Sequence, residues 1–166
     1  MPELPEVETV RQTLRQFILD ENIEGIDVYY DKIINGDTQE FIERLTHQTI
    51  RDIDRVGKYL IFLLDEDAFV SHLRMEGKYN IVKRETPVDK HTHVVFHLHD
   101  GQDLRYIDTR KFGRLELVDR HLYREQLPLM KLGKEPFDIS GEELYALLHK
   151  TSLPIKTALL DQSIMC

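Results

Sequence analysis

Near the start of the chain, apolar residues return at helical spacing. Val7, Val10, Leu14, Phe17 and Ile18 share one stripe, which predicts an amphipathic α-helix ending near Asp20 to Asn22. Pro5 suits its first turn, and Glu6 and Glu8 suit the positive end of its dipole. Ile26 to Tyr30 has the β-branched and aromatic content of a short strand, and Asn35-Gly36-Asp37 reads as a turn. Asp37 or Thr38 can cap a second helix reaching about His47, with Phe41, Ile42 and Leu45 inward.

From Thr49 the pattern becomes that of strands. Ile50 to Val56 alternates apolar and charged residues, Gly57 interrupts, and Tyr59 to Leu64 is a continuous apolar run, as in a strand buried on both faces. Phe69 to Gly77 reads as a strand ending in a glycine turn. Val94, Phe96 and Leu98 alternate with Val95, His97 and His99, Asp100-Gly101 is a hairpin signal, and strands follow through Ile107 and from Leu115 to Val118. Residues 120–137 read as a mixed linker. Ser140-Gly141-Glu142-Glu143 can cap a helix to about His149, with Leu144, Leu147 and Leu148 inward, and Ser152 and Pro154 open another. A β-rich centre between helical ends is an α+β pattern.

Composition sets the bounds. At 166 residues and 41% hydrophobic content the chain can form one domain with a real core, or one domain plus a stub. It has no uncharged apolar stretch of about 18 residues and no visible signal peptide, so the expectation is a soluble, cytoplasmic protein without a membrane partner. Cys166 is the only cysteine, which excludes an internal disulfide and a multi-cysteine zinc site. The formal net charge of −8 is opposite to what gripping phosphates requires. The charge is uneven, however: acidic residues crowd 19–43 and 135–143, whereas Arg74, Lys78, Lys83 and Arg84, then Arg105, Arg110, Lys111 and Arg114, are basic. A local basic groove on an acidic body fits this distribution.

Candidate chemistry concentrates first at the terminus. With Met1 removed, Pro2 would be a free secondary amine beside the Glu3 carboxylate. A secondary amine that attacks a sugar C1′ forms a cationic iminium with the opened ring, an electron sink for elimination. A nearby carboxylic acid protonates the departing base or the ring oxygen. On residue types alone, an ordinary helix with a proline-rich lead-in accounts for the same stretch. The unbroken run from Met1 through Pro2-Glu3-Leu4-Pro5-Glu6-Val7-Glu8-Thr9-Val10, however, resembles the N-terminal signature of the formamidopyrimidine-DNA glycosylase family. These are bifunctional enzymes that excise oxidised purines and nick the resulting abasic site. Leu4 with Val7-Glu8-Thr9 is nearer to this branch than to the endonuclease VIII branch, which takes oxidised pyrimidines.

The resemblance implies a two-layer antiparallel β-sandwich flanked by helices, then a helical domain built on a helix-two-turn-helix. It implies that Pro2 is the nucleophile, Glu3 the general acid and Glu6 a helper. Lys58, in Gly57-Lys58-Tyr59-Leu60, reads on its own as a solvated edge lysine; in the family this lysine contacts phosphate and assists elimination. In His72-Leu73-Arg74-Met75-Glu76-Gly77 the bland reading makes Met75 a gap filler, whereas the resemblance gives His72 a phosphate contact and sends Met75 into the hole left by a flipped nucleotide. His91, His93, His97 and His99 suggest a metal, but without cysteines or clustered carboxylates a polar strand face explains them better; the resemblance gives His91 a DNA contact. In Asp108-Thr109-Arg110-Lys111-Phe112-Gly113-Arg114, a basic turn with Phe112 in the core competes evenly with a duplex wedge. The resemblance assigns Arg110 to the orphaned base and Phe112 to the wedge. Lys156 is a further implied DNA contact.

Leu132-Gly133-Lys134-Glu135-Pro136 resembles the family's connector between domains, so the expected organisation is a catalytic sandwich over 1–132 and a linker with the truncated start of the helical domain over 133–166. The family's four-cysteine zinc finger would lie beyond Cys166, so no cofactor is expected in this chain. The implied partner is double-stranded DNA carrying an oxidised purine or an abasic site. An active glycosylase and lyase competes with a folded fragment that binds DNA weakly. Family members are implied to be monomers, while Leu159, Leu160, Ile164 and Met165 are the residues through which this chain would self-associate.

Overall fold

The computed structural model describes residues 3–130. Helix α1 spans Leu4–Ile18 with Pro5 in its first turn, and the Glu3 N–H closes back onto Glu6 Oε1 at 3.0 Å. Val7, Leu14 and Ile18 are buried, but Phe17, expected in the same stripe, is 55% exposed. It sits on the stripe's flank, lining a groove of about 420 Å³ with Thr13, Tyr79 and Ile81. The helix stops at Ile18 because Leu19 turns extended and Asp20, at φ 67°, gives its N–H to Ile50 O at 2.7 Å.

Strand β1 is Ile23–Val28, earlier than the Ile26 to Tyr30 expected, since Tyr29 and Tyr30 leave the ladder to bond His93 O. A short 3₁₀ turn, Asp31–Ile33, follows. Helix α2, Thr38–Leu45, is capped by Asp37, which accepts from Glu40 N–H at 3.0 Å; Phe41 and Leu45 are buried. The strands then run β2 Asp52–Val56, β3 Tyr59–Leu63, β4 Ala68–His72, β5 Lys78–Lys83, β6 Thr92–Leu98, β7 Gln102–Ile107 and β8 Arg114–Val118. They form two antiparallel four-stranded sheets, ordered β1-β6-β7-β5 and β2-β3-β4-β8. The expected β-sandwich is therefore present.

Aromatic rings join the two layers. Phe69 of β4 stacks on Phe96 of β6 at 5.2 Å and on Phe62 of β3 at 4.4 Å, and Phe41 of α2 meets Phe69 edge-on. All four are fully buried, each contributing about 1.5–3 kcal/mol by leaving water. Tyr79 of β5 donates to Ser71 Oγ of β4 at 2.7 Å, a hydrogen bond between the sheets.

Two elements depart from the expectation. Strand β5, which the pattern leaves unassigned, is an edge strand with lysines at both ends and only Tyr79, Ile81 and Val82 partly covered, so its apolar signal is weak. Tyr123–Met130, inside the expected linker, is helix α3; Pro128 and a lack of apolar periodicity hide it in sequence. The chain divides into compact units at Arg120/His121, and α3 belongs to the second. Pro2, the 132–136 connector, the later helices, Lys156 and the apolar residues around Leu159 lie outside the described residues. Among those described, no helix is long and apolar enough to cross a membrane.

Candidate functional site

Strand register gathers the candidate residues at one end of the sandwich. Val56 pairs with Tyr59 across the Gly57-Lys58 turn, Tyr59 pairs with His72, and His72 pairs with Arg114. In the other sheet Ile107 is flanked by Lys78 and Thr92. The Lys58 turn, the Leu73–Gly77 turn, His91 and the 108–113 loop therefore share one rim.

Helix α1 is fastened along β2 and runs opposite to it. Arg15 Nε meets Asp52 Oδ1 at 2.8 Å, Arg11 Nε donates to Ile53 O at 2.7 Å, and Arg55 Nε meets Glu8 Oε1 at 2.8 Å. This ladder points the start of the helix, with Glu3 and Glu6, toward the Lys58 turn. Arg55 also donates through Nη1 to Gly57 O at 2.8 Å, linking helix and turn through one guanidinium. Gly57, at φ 59°, takes the left-handed turn position that glycine tolerates. Glu8 Oε2 accepts from Gln12 at 2.7 Å and from Arg11 at 2.8 Å. The Gln12 bond, then the Arg55 bond, hold its carboxyl below the usual glutamate range.

His72 is buried at the end of β4, its ring 4.6 Å from that of Tyr59. The chain then turns through Arg74 at φ 55°, closes with Gly77 N–H on Leu73 O at 3.0 Å, and leaves Met75 42% exposed at the tip. Phe112 is 48% exposed on its own loop, so the reading that tucked it into the core does not hold. An exposed methionine and an exposed phenylalanine therefore stand at loop tips on one rim. Arg110 Nε lies 3.5 Å from Glu76 Oε2, joining the two loops on the outside. Lys111, at φ 61°, sets its Nζ 4.6 Å over the Tyr30 ring. Lys58, Arg74, Arg110, Lys111 and Arg114 gather cations on this rim, with His91 beside them, although the whole chain is acidic.

Residues that the sequence reading passed over hold the rim in place. Asp108, fully buried, accepts from the Arg110, Lys111 and Gly113 amides at 3.2, 3.0 and 2.8 Å, and from the Tyr106 hydroxyl at 2.8 Å. His93 Nε2–H donates to Asp108 O at 2.7 Å, a structural duty that accounts for one of the histidines. An aspartate just before a short polar-to-glycine loop is the available signal, since Asx side chains capture amides two and three residues on. Among the described residues, no group of three or more His, Cys, Asp or Glu is placed to hold a metal ion.

A two-sheet sandwich with a cationic rim bearing exposed apolar tips defines a class of surface suited to a nucleic-acid duplex. The sequence profile of the formamidopyrimidine-DNA glycosylase N-terminal domain matches residues 1–115, and the chain belongs to this family. It is 48% identical over 166 residues to the formamidopyrimidine-DNA glycosylase of Bacillus licheniformis, covering 98% of this chain and 60% of that one. The Cytobacillus firmus enzyme of the same name is also 48% identical, with 61% of its length covered. Among solved structures, wild-type Lactococcus lactis Fpg in complex with DNA containing N7-benzyl-Fapy-dG superposes with a TM-score of 0.77 at 37% identity, covering 99% of this chain and 62% of that one. The same protein with DNA containing an abasic site gives 0.75 at 34% identity. The chain thus spans about 60% of the length of the curated relatives it matches.

Proposed function

We propose that this chain acts in DNA repair, excising oxidised purines such as 8-oxoguanine and formamidopyrimidines and then opening the abasic site by β,δ-elimination. The observation that carries the reading is the shared rim: Lys58, Met75, Arg110 and Phe112 leave the sandwich at the end toward which the ladder points the start of α1. In this reading the Pro2 nitrogen bonds to C1′ as the glycosidic bond breaks, and Glu3 gives a proton to the departing base or the ring oxygen, with Glu6 assisting. The opened sugar then carries an iminium on Pro2. That cation accepts the electron pair left when C2′ loses a proton, and the enamine so formed expels the 3′ phosphate with its bonding pair. A second proton loss further along the opened sugar expels the 5′ phosphate in the same way, and Lys58 meets the phosphate. His72, His91 and Lys156 contact the DNA, Met75 fills the space of the flipped nucleotide, Arg110 faces the orphaned base and Phe112 wedges the stack.

Borohydride trapping on a duplex with an abasic site tests this, with Pro2→Gly as control and the N-terminal mass measured on the same sample. A Pro2-dependent adduct supports the reading; no adduct from chain confirmed to start at Pro2 overturns it for the 166-residue chain. Chain that keeps Met1 should give no adduct, because its Pro2 nitrogen is an amide. The net charge of −8 favours a second reading, in which the 166-residue chain alone holds DNA weakly. Tight lesion-specific binding by that chain would refute it.

A further inference from the structure

We infer that Tyr106 and Asp108 form a single buried positioning unit that fixes the Met75 turn and the Arg110–Phe112 loop relative to each other before any nucleic acid arrives. The inference rests on the rim being the binding face, as proposed above, for its functional meaning. Its structural content stands on contacts within the sandwich.

A carboxylate with no access to water is costly unless every acceptor position is met. Asp108 meets the requirement without a cation. Its Oδ2 takes the Tyr106 O–H and the Gly113 N–H, each at 2.8 Å, and its Oδ1 takes Lys111 N–H at 3.0 Å and Arg110 N–H at 3.2 Å. Its main chain is tied as well, the N–H to His91 O at 3.0 Å and the carbonyl to His93. Three amides of one short loop converge on this carboxyl group, which keeps Lys111 in its left-handed conformation. Arg114 secures the far side by donating to Lys111 O and Gly113 O at 2.9 and 2.6 Å.

The Tyr106 hydroxyl extends that anchor to the second loop. A Cβ on Gly77 or on Gly113 would collide with this same oxygen. Neither glycine has a positive φ, so close approach, not backbone freedom, is what requires glycine at both. Gly77 closes the turn whose tip is Met75, and Gly113 directly follows Phe112. Both exposed apolar tips are thus mounted within two residues of one hydroxyl. Burial, with the Asp108 charge beside it, pushes the Tyr106 hydroxyl far above the ordinary tyrosine range, so it remains a donor at any working pH.

The test uses the 166-residue chain with Tyr106→Phe, which deletes one oxygen, and Asp108→Asn, which keeps the shape but presents an amide. Amide hydrogen exchange is followed without DNA. A lost buried hydrogen bond should speed exchange about tenfold at both Gly77 and Gly113 in Tyr106→Phe, with Phe62 and Phe96 in the central strands unchanged. Acceleration at Gly113 alone, or at neither, would overturn the coupling. In parallel, 2-aminopurine is placed opposite a tetrahydrofuran abasic analogue to report unstacking when the loops enter the duplex. Its signal at saturation should fall in both variants, and unchanged signal in both would refute the positioning role. If wild type leaves the 2-aminopurine silent, the reading of the rim as a DNA face fails, while the exchange data still decide the inference. Should Asp108→Asn unfold, Tyr106→Phe carries the test.

Discussion

Asp103 and Asp108 are both buried, yet they are satisfied by opposite chemistry. Asp108 is held by neutral donors, whereas Asp103 faces Arg105 Nη2 at 3.0 Å, Arg84 Nε at 3.5 Å and His97 Nδ1 at 2.7 Å. His97 also reaches Asp27 Oδ2 through Nε2 at 2.7 Å, and two carboxylate acceptors require hydrogen on both ring nitrogens. Burial alone would lower its pKa, but the bonds to Asp27 and Asp103 outweigh that and raise it. A raised folded value means that stability from this bridge is whole below the unfolded histidine value, about 6.5, and is lost as pH rises through the folded one. Urea unfolding of wild type and His97→Gln should therefore differ most near pH ~5.5 and converge as pH rises, and a gap constant with pH would assign His97 to packing alone. The glycines give a second contrast. In Gly113→Ala the new Cβ meets the Tyr106 hydroxyl, His72 O at 2.9 Å and Asp108 Oδ2 at 3.0 Å, whereas in Gly25→Ala it meets only His97 Cδ2 at 3.7 Å. Denaturant midpoints should place the first about 1–3 kcal/mol below wild type and the second within about 1 kcal/mol of it.

Helix α1 owes its direction to Arg11 and Arg15, which reach to β2, and to Arg55 of β2, which reaches back to Glu8 and also grips the Gly57 carbonyl. Lysine is a point donor and cannot serve the Glu8 carboxylate and that carbonyl in one plane. Arg55→Lys should therefore cut the rate of borohydride trapping about threefold to tenfold by loosening the approach of helix to turn, while the unfolding midpoint moves little. An equal loss in Lys58→Arg but none in Arg55→Lys would discount the link. The elements themselves were legible wherever apolar residues were dense or regular. Val7, Leu14 and Ile18 announced α1, and Tyr59 to Leu63 announced a strand covered on both faces. Legibility failed where burial is partial. The edge strand β5 exposes Lys78, Asn80 and Lys83, and Phe17 obeys the helical period while facing a groove. The exposed rim residues are legible through motif resemblance, but their supports are not: His93 reaches Asp108 and Arg55 reaches Glu8 only through the register of separate elements, and the local bonds of Asp108 show in sequence only as an aspartate ahead of a glycine loop.

At the scale of the whole molecule the acidic total and the cationic rim pull in different directions. Glu and Asp outnumber Lys and Arg by 30 to 22, so long-range attraction to a polyanion is weak and binding depends on the few cations at the rim. For abasic-site duplex binding, Lys58→Gln should reduce the slope of log affinity against log salt by about 1, whereas Phe112→Ala should lower affinity and leave that slope unaltered. Fluorescence titration at several salt concentrations checks both, and a slope altered by Phe112→Ala would move that ring out of the wedge role. The oxygen shared by Gly77 and Gly113 also carries a lesson for anyone wishing to transplant these loops. Neither the Met75 turn nor the Phe112 loop is a detachable cassette. A graft into another sandwich that brings one loop without Tyr106, Asp108 and the opposite glycine would arrive with its mount missing, so both loops together with Tyr106 and Asp108 are the smallest exchangeable module.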